Sequence, residues 1–104
     1  MDQQEFLQLA DACLEQFAAA LEDFDPDEVD FSCTDGVLTI EFADGTRYVL
    51  NRQTAASQMW FAAGARAWHY NWDGSAWVCD RDGHSLTESV SSSISEKIGR
   101  EVRL

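Results

Sequence analysis

The sequence predicts an α+β fold: a two-layer sandwich in which an antiparallel sheet of about six strands is covered on one face by an N-terminal and a C-terminal helix. Three observations carry this. Apolar residues recur at helical spacing at the two ends of the chain, and between them the period changes to two. Short turn signals, among them Asp35-Gly36, Asp44-Gly45, Asp73-Gly74 and Asp82-Gly83, separate the alternating runs, so the links are hairpins rather than crossovers. Residues 1–104 read as one domain, without repeat, linker or low-complexity segment.

The first helix is expected from Asp2 to about Asp23. Asp2 and Glu5 have capping-box spacing, and Phe6, Ala10, Cys13, Leu14, Phe17 and Leu21 form its apolar stripe. Pro26 cannot continue it. Alternation predicts strands at Val29–Cys33, Val37–Phe42, Thr46–Asn51, Gln58–Ala62, Ala67–Trp72 and Ala76–Cys79. Ser85 and Glu88 open a second helix, whose stripe is Leu86, Val90, Ile94 and Ile98, with Gly99 as its C-cap. Ser91-Ser92-Ser93 is expected to face solvent on that helix. Val102 and Leu104 form a short apolar tail fitted to cover the core between the helices.

Charge is distributed unevenly. The chain carries a net charge of −12. The first 46 residues hold thirteen acids and no Lys, Arg or His; the first base is Arg47. Such a half-molecule repels phosphates and acidic membrane surfaces, which argues against nucleic-acid and membrane ligands. It suits a basic protein surface, or hard metal ions that take oxygen ligands. No apolar run of ~18 residues and no basic-then-apolar leader occurs, so a soluble chain not exported by an N-terminal signal is expected. Cys13, Cys33 and Cys79 are odd in number and widely spaced, as in a reducing cytosol.

Asp23, Asp25 and Asp27 have the spacing that opens a calcium loop. The sixth and twelfth places, which need Gly and Glu, hold Glu28 and Thr34, so the loop is not completed. What remains is an open ridge of carboxylates. Two carboxylates ~4 Å apart in water repel by roughly 1 kcal/mol, a burden that a multivalent cation or an Arg cluster relieves. The alternative is a solvated acidic face. On the sheet, Met59 and Phe61 share one face, and Gln58 and Trp60 the other. One register exposes Trp60 as an interface anchor and the other buries it. Trp68, Trp72 and Trp77 suit the core, and His69 falls opposite the Trp68–Tyr70–Trp72 stripe. His69 and His84 form no HxxxH, no Cys–His pair stands at metal spacing, and no GxSxG or phosphate loop occurs. No catalytic constellation is found.

Several segments together resemble the frataxin/CyaY family: Asn51-Arg52-Gln53-Thr54 with Gln58-Met59-Trp60, Gly36 to Ile40, the aromatic strand ending at Trp72, and Trp77-Val78 before Asp82-Gly83. Within that family it resembles the bacterial CyaY branch. The resemblance implies the same sandwich and a non-enzymatic, cytoplasmic, iron-binding adaptor of iron–sulfur cluster assembly. Its implied partners are the cysteine desulfurase, whose activity it would modulate, and the scaffold protein. A monomer is implied, with oligomers induced by iron. Weak surface binding of Fe²⁺ or Fe³⁺ would fall to Asp11, Glu15, Glu22, Asp23, Asp25, Asp27, Glu28 and Asp30. Partner contacts would fall to Glu22, Asp23, Asp25, Asp27, Asn51, Gln53, Trp60 and His69. Ala18 and Ala19 stand where relatives often carry acids, and Ser89 where a core Leu is common, which implies a looser core. Two other classes fit the composition: an acidic secretion-type chaperone, and a ferroxidase-like iron-storage protein.

Overall fold

Residues 1–104 are described by a computed structural model. Helix α1 spans Gln3–Leu21, and the strands are β1 Val29–Thr34, β2 Val37–Phe42, β3 Arg47–Gln53, β4 Gln58–Ala63, β5 Arg66–Trp72 and β6 Trp77–Cys79. Helix α2 spans Leu86–Ile98, and a 3-10 turn at Thr54–Ala56 joins β3 to β4. Both helix starts follow from their caps. The Glu5 amide donates to Asp2 Oδ1 at 2.8 Å, and the Glu88 amide to Ser85 Oγ at 3.1 Å. Gly99, at φ +77°, terminates α2 in the left-handed conformation that glycine adopts without strain. Helix α1 ends two residues short of the sequence expectation, because the chain turns at Glu22 and Asp23 ahead of Pro26.

All neighbouring strands pair antiparallel in the order β1-β2-β3-β4-β5-β6, a simple meander. The hairpins fix its register. Asp35 and Gly36 both take positive φ, as a two-residue turn matched to strand twist requires. Both helices pack on one face of the sheet. Phe6, Ala10, Cys13, Leu14, Phe17 and Leu21 of α1 meet Leu38, Ile40, Leu50, Met59, Phe61 and Tyr70 of the sheet and Leu86, Val90 and Ile94 of α2. Val102 is buried and Leu104 packs against this core, so the tail does close it.

Two expectations about α2 and the tryptophans are refined. The serine run does not lie wholly in solvent: Ser93 is buried, as is Ser89. Residues 86, 89, 90, 93 and 94 form one apolar-facing stripe, wider than an every-fourth-residue pattern. Ser91 Oγ accepts the Leu104 amide, and Ser95 Oγ accepts the Val102 amide, so serines also fasten the tail. Trp77 is a core residue, edge-on to Phe6 with ring centroids 5.9 Å apart. Trp68 and Trp72 are half-buried at the rim, against Phe61 and Trp77 respectively.

Candidate functional site

The carboxylates singled out in the sequence fall on α1 from its middle onward, the turn after it and edge strand β1. Two of the eight are held internally. Asp11 pairs with Arg52 of β3, and Glu28 with Arg100 beyond α2. Arg100 also lies over the Phe24 ring, 5.6 Å from its centroid. Asp25 Oδ1 accepts the Asp27 amide and Asp30 Oδ1 accepts the Phe31 amide, bonds that orient these carboxylates without neutralising them. Glu15, Glu22 and Asp23 are exposed, and their carboxylates make no hydrogen bond or ion pair. The ridge therefore carries six uncompensated acids.

Their position is electrostatically adverse. The C-terminus of a helix is the negative end of its dipole and favours cations; each such interaction is worth roughly 0.3–1 kcal/mol at the surface. Helix α1 has no base in its last turn and is followed by Glu22, Asp23, Asp25 and Asp27. Helix α2 obeys the rule, with Glu88 in its first turn and Lys97 in its last. A bound cation or a docked guanidinium would meet both the carboxylates and the dipole.

The sheet face away from the helices carries the other residues. Register aligns Val37, Asn51, Trp60 and His69 in one row across β2 to β5. Gln53, Gln58 and Asn71 sit one pleat along, with Gln58 Nε2 donating to Asn71 Oδ1 at 3.2 Å. Met59 and Phe61 are buried, so Trp60 takes the outward register. Its indole donates to Gln58 Oε1 at 2.9 Å and stacks on the His69 ring, centroids 4.2 Å apart and 12° from parallel. His69 Nδ1 in turn lies 3.9 Å from Asp80 Oδ2. The row is thus a pre-ordered platform, bordered by the exposed Val37 side chain.

A third cluster escaped the sequence reading. Cys79, Asp82 and His84 bring their ligand atoms within 4.8 Å of one another. No regular metal spacing marks them in the sequence, because the three are spaced three and two residues apart and are gathered only when the Gly83 turn, at φ +76°, folds the loop back. The signal available was a Cys, an Asp and a His flanking one glycine. Asp82 accepts the His84 amide and side chain, which holds its carboxyl below the usual range.

The family profile described as a frataxin-like domain matches residues 1–100. The chain belongs to the frataxin-like family. Among relatives of this frataxin-like chain, the iron-sulfur cluster assembly protein CyaY of Dechloromonas aromatica is 41% identical over 105 residues, 100% of this chain and 99% of that protein. That of Thioalkalivibrio sulfidiphilus is 40% identical over 98 residues, 91% and 92% of the two chains. Among solved structures, frataxin from Psychromonas ingrahamii superposes with a TM-score of 0.90 at 29% identity, covering 99% of this chain and 97% of that one. Trimeric yeast frataxin, complexed with ferrous iron, superposes at 0.63 with 26% identity, covering 94% and 86%. The two-layer α+β sandwich read from hydrophobic period is the fold of these neighbours.

Proposed function

We propose that this frataxin-like chain is a non-catalytic, cytoplasmic, iron-binding adaptor of iron–sulfur cluster assembly, which docks on the cysteine desulfurase through its acidic ridge and modulates its activity. The observation that carries the reading is the ridge itself: six uncompensated carboxylates, four of them against the negative end of the α1 dipole. The names of the curated relatives support the role in cluster assembly, and the ferrous complex of yeast frataxin supports iron as the cargo. Glu15, Glu22, Asp23, Asp25, Asp27 and Asp30 offer exposed oxygens from separate backbone positions. They would hold Fe²⁺ or Fe³⁺ weakly and at more than one place, since no closed cage surrounds an ion. Asp11 and Glu28, already paired, would join only if Arg52 or Arg100 let go.

The same carboxylates would steer a basic patch of the desulfurase, giving fast, salt-sensitive association. The Asn51–Trp60–His69 row, with Gln53, would supply the apolar and hydrogen-bonding part of a contact with desulfurase or scaffold. Both histidines stand on other elements than the ridge, so a carboxylate–histidine ferroxidase centre has no support there. An apolar dimer face of the chaperone kind has little support either: Val37 and Met1 are the only exposed large hydrophobics.

The test is affinity for a cysteine desulfurase at low and high salt. Asp23→Lys with Asp25→Lys should weaken low-salt binding by at least tenfold, and the wild-type complex should loosen as salt rises. Binding unchanged by both would remove the docking role. Loss of iron binding alone in the double variant would leave only the cargo role.

A further inference from the structure

We propose that Cys79, Asp82 and His84 form a binding site for a single borderline divalent cation of the Zn²⁺ class, distinct from the carboxylate ridge. The donor set is one thiolate sulfur, one carboxylate oxygen and one imidazole nitrogen, a combination that selects Zn²⁺ or Co²⁺ over the hard ions suited to carboxylates alone. A thiolate and a carboxylate balance the two charges of the ion, and three protein ligands leave a fourth position to water on the exposed Asp82 side.

The loop that carries these donors is built to hold them together. The Cys79 amide donates to the His84 carbonyl at 2.8 Å, the Gly83 amide to the Cys79 carbonyl at 3.0 Å, and Val78 pairs with Ser85 across the base. Cys79 closes β6 and Ser85 caps α2, so both ends of the loop are anchored in the core layer. The His84 ring is oriented from behind: its Nε2 lies 2.8 Å from the hydroxyl of fully buried Tyr70, which leaves Nδ1 on the carboxylate. Arg81, the base inside this loop, is directed elsewhere; its guanidinium donates to the Ala67 carbonyl at 3.0 Å.

Asp82 Oδ1 and His84 Nδ1 lie 2.5 Å apart. In a tetrahedral site, bonds of about 2.0–2.3 Å place neighbouring donors roughly 3.3–3.7 Å apart. Loading therefore separates Asp82 from His84 by about 1 Å and draws the sulfur inward, a motion the exposed Asp82 side chain provides. With Nδ1 on the ion, the imidazole proton resides on Nε2 and is donated to the Tyr70 oxygen. Tyr70 is a positioning residue.

Co²⁺ added to the reduced full-length protein is the probe. Wild type should develop the near-ultraviolet thiolate-to-cobalt band with the intense visible bands of a tetrahedral ion, displaced by Zn²⁺. Cys33→Ser, and the ridge variant Asp23→Asn with Asp25→Asn, should keep these bands; Cys79→Ser should lose them. Tyr70→Phe should weaken Co²⁺ binding by about 10–100-fold while keeping the band positions. Absence of the bands in wild type, or their survival in Cys79→Ser, overturns the proposal. Should Cys79→Ser fail to fold, folded His84→Gln decides: affinity within threefold of wild type overturns the site.

Discussion

Gly36 shows how one residue ties the turn to the helix layer. It sits at φ +78°, buried, and its carbonyl accepts the Arg52 amide at 3.0 Å. A Cβ there would fall 2.5 Å from Arg52 Nε and 2.8 Å from its Cγ. Arg52 occupies that space in order to reach Asp11 on α1. Gly36→Ala therefore combines left-handed strain, of order 1–3 kcal/mol, with displacement of the one guanidinium that joins β3 to α1. Gly45, at φ +86° with nothing near its missing Cβ, has the strain alone. Urea unfolding should show Gly36→Ala clearly less stable than Gly45→Ala; equal losses would mean that Arg52 moves aside freely. Trp60 behaves oppositely. Its ring lies on the open face, on His69 and Gln58, and not in the core. Trp60→Ala should lower affinity for desulfurase or scaffold by at least tenfold while shifting the unfolding midpoint little, as isothermal titration and denaturation would show together.

The two helices differ in how they end, and that difference separates stability from function. Neutralising the acids after α1 removes like-charge repulsion and an adverse dipole term. Asp23→Asn with Asp25→Asn should raise stability by roughly 0.3–1 kcal/mol per site at low ionic strength, and less at high salt. Thermal unfolding at two salt concentrations would check this; a destabilised variant would show that these side chains hold the turn instead. At this scale most of the fold was legible in the sequence. Capping residues placed both helix starts, and alternation placed all six strands with the help of Asp-Gly turns and Gly64, because these are local signals. Non-local facts were not legible. The pairs Arg52–Asp11 and Arg100–Glu28 join residues 41 and 72 positions apart, so the ridge read as longer than its uncompensated part. Burial of Ser93 was hidden because a polar residue does not register in an apolar stripe. Asn51, Trp60 and His69 were each named as candidates, but their alignment in one row depends on strand register. The Cys79–Asp82–His84 cluster depends on a turn that folds unevenly spaced residues together.

At the scale of the whole molecule, pH and multivalent cations act on different parts. Burial raises the Cys13 thiol from 9.0 to about 12. The Tyr70 phenol rises from 10.0 to about 12, chiefly through burial. Both groups hold their proton more tightly when folded. Their stabilising contribution is complete below the unfolded values and is lost as pH rises toward 12, by up to about 1.4 kcal/mol per pH unit for each group. Urea midpoints should fall steadily above pH 9, and Cys13→Ala should delay the start of that fall toward pH 10. At neutral pH the net charge of −12 dominates, and its concentration before Arg47 means that the repulsion converges on α1 and β1. Monovalent salt screens this generally, over a Debye length of about 8 Å at physiological strength. A multivalent cation binding the folded ridge does more, because the unfolded chain disperses the same carboxylates. At a hundred times its dissociation constant such an ion stabilises by roughly 2.7 kcal/mol, which for a domain of this size raises Tm by about 10–20 °C. Anaerobic Fe²⁺, or a redox-inert trivalent lanthanide, should therefore raise Tm at low ionic strength far more than NaCl of equal ionic strength. Cys79→Ser should leave the lanthanide shift intact, because that hard ion avoids a thiolate site, and Asp23→Asn with Asp25→Asn should reduce it. If NaCl reproduced the whole shift, the ridge would be a diffuse field that binds no ion in particular.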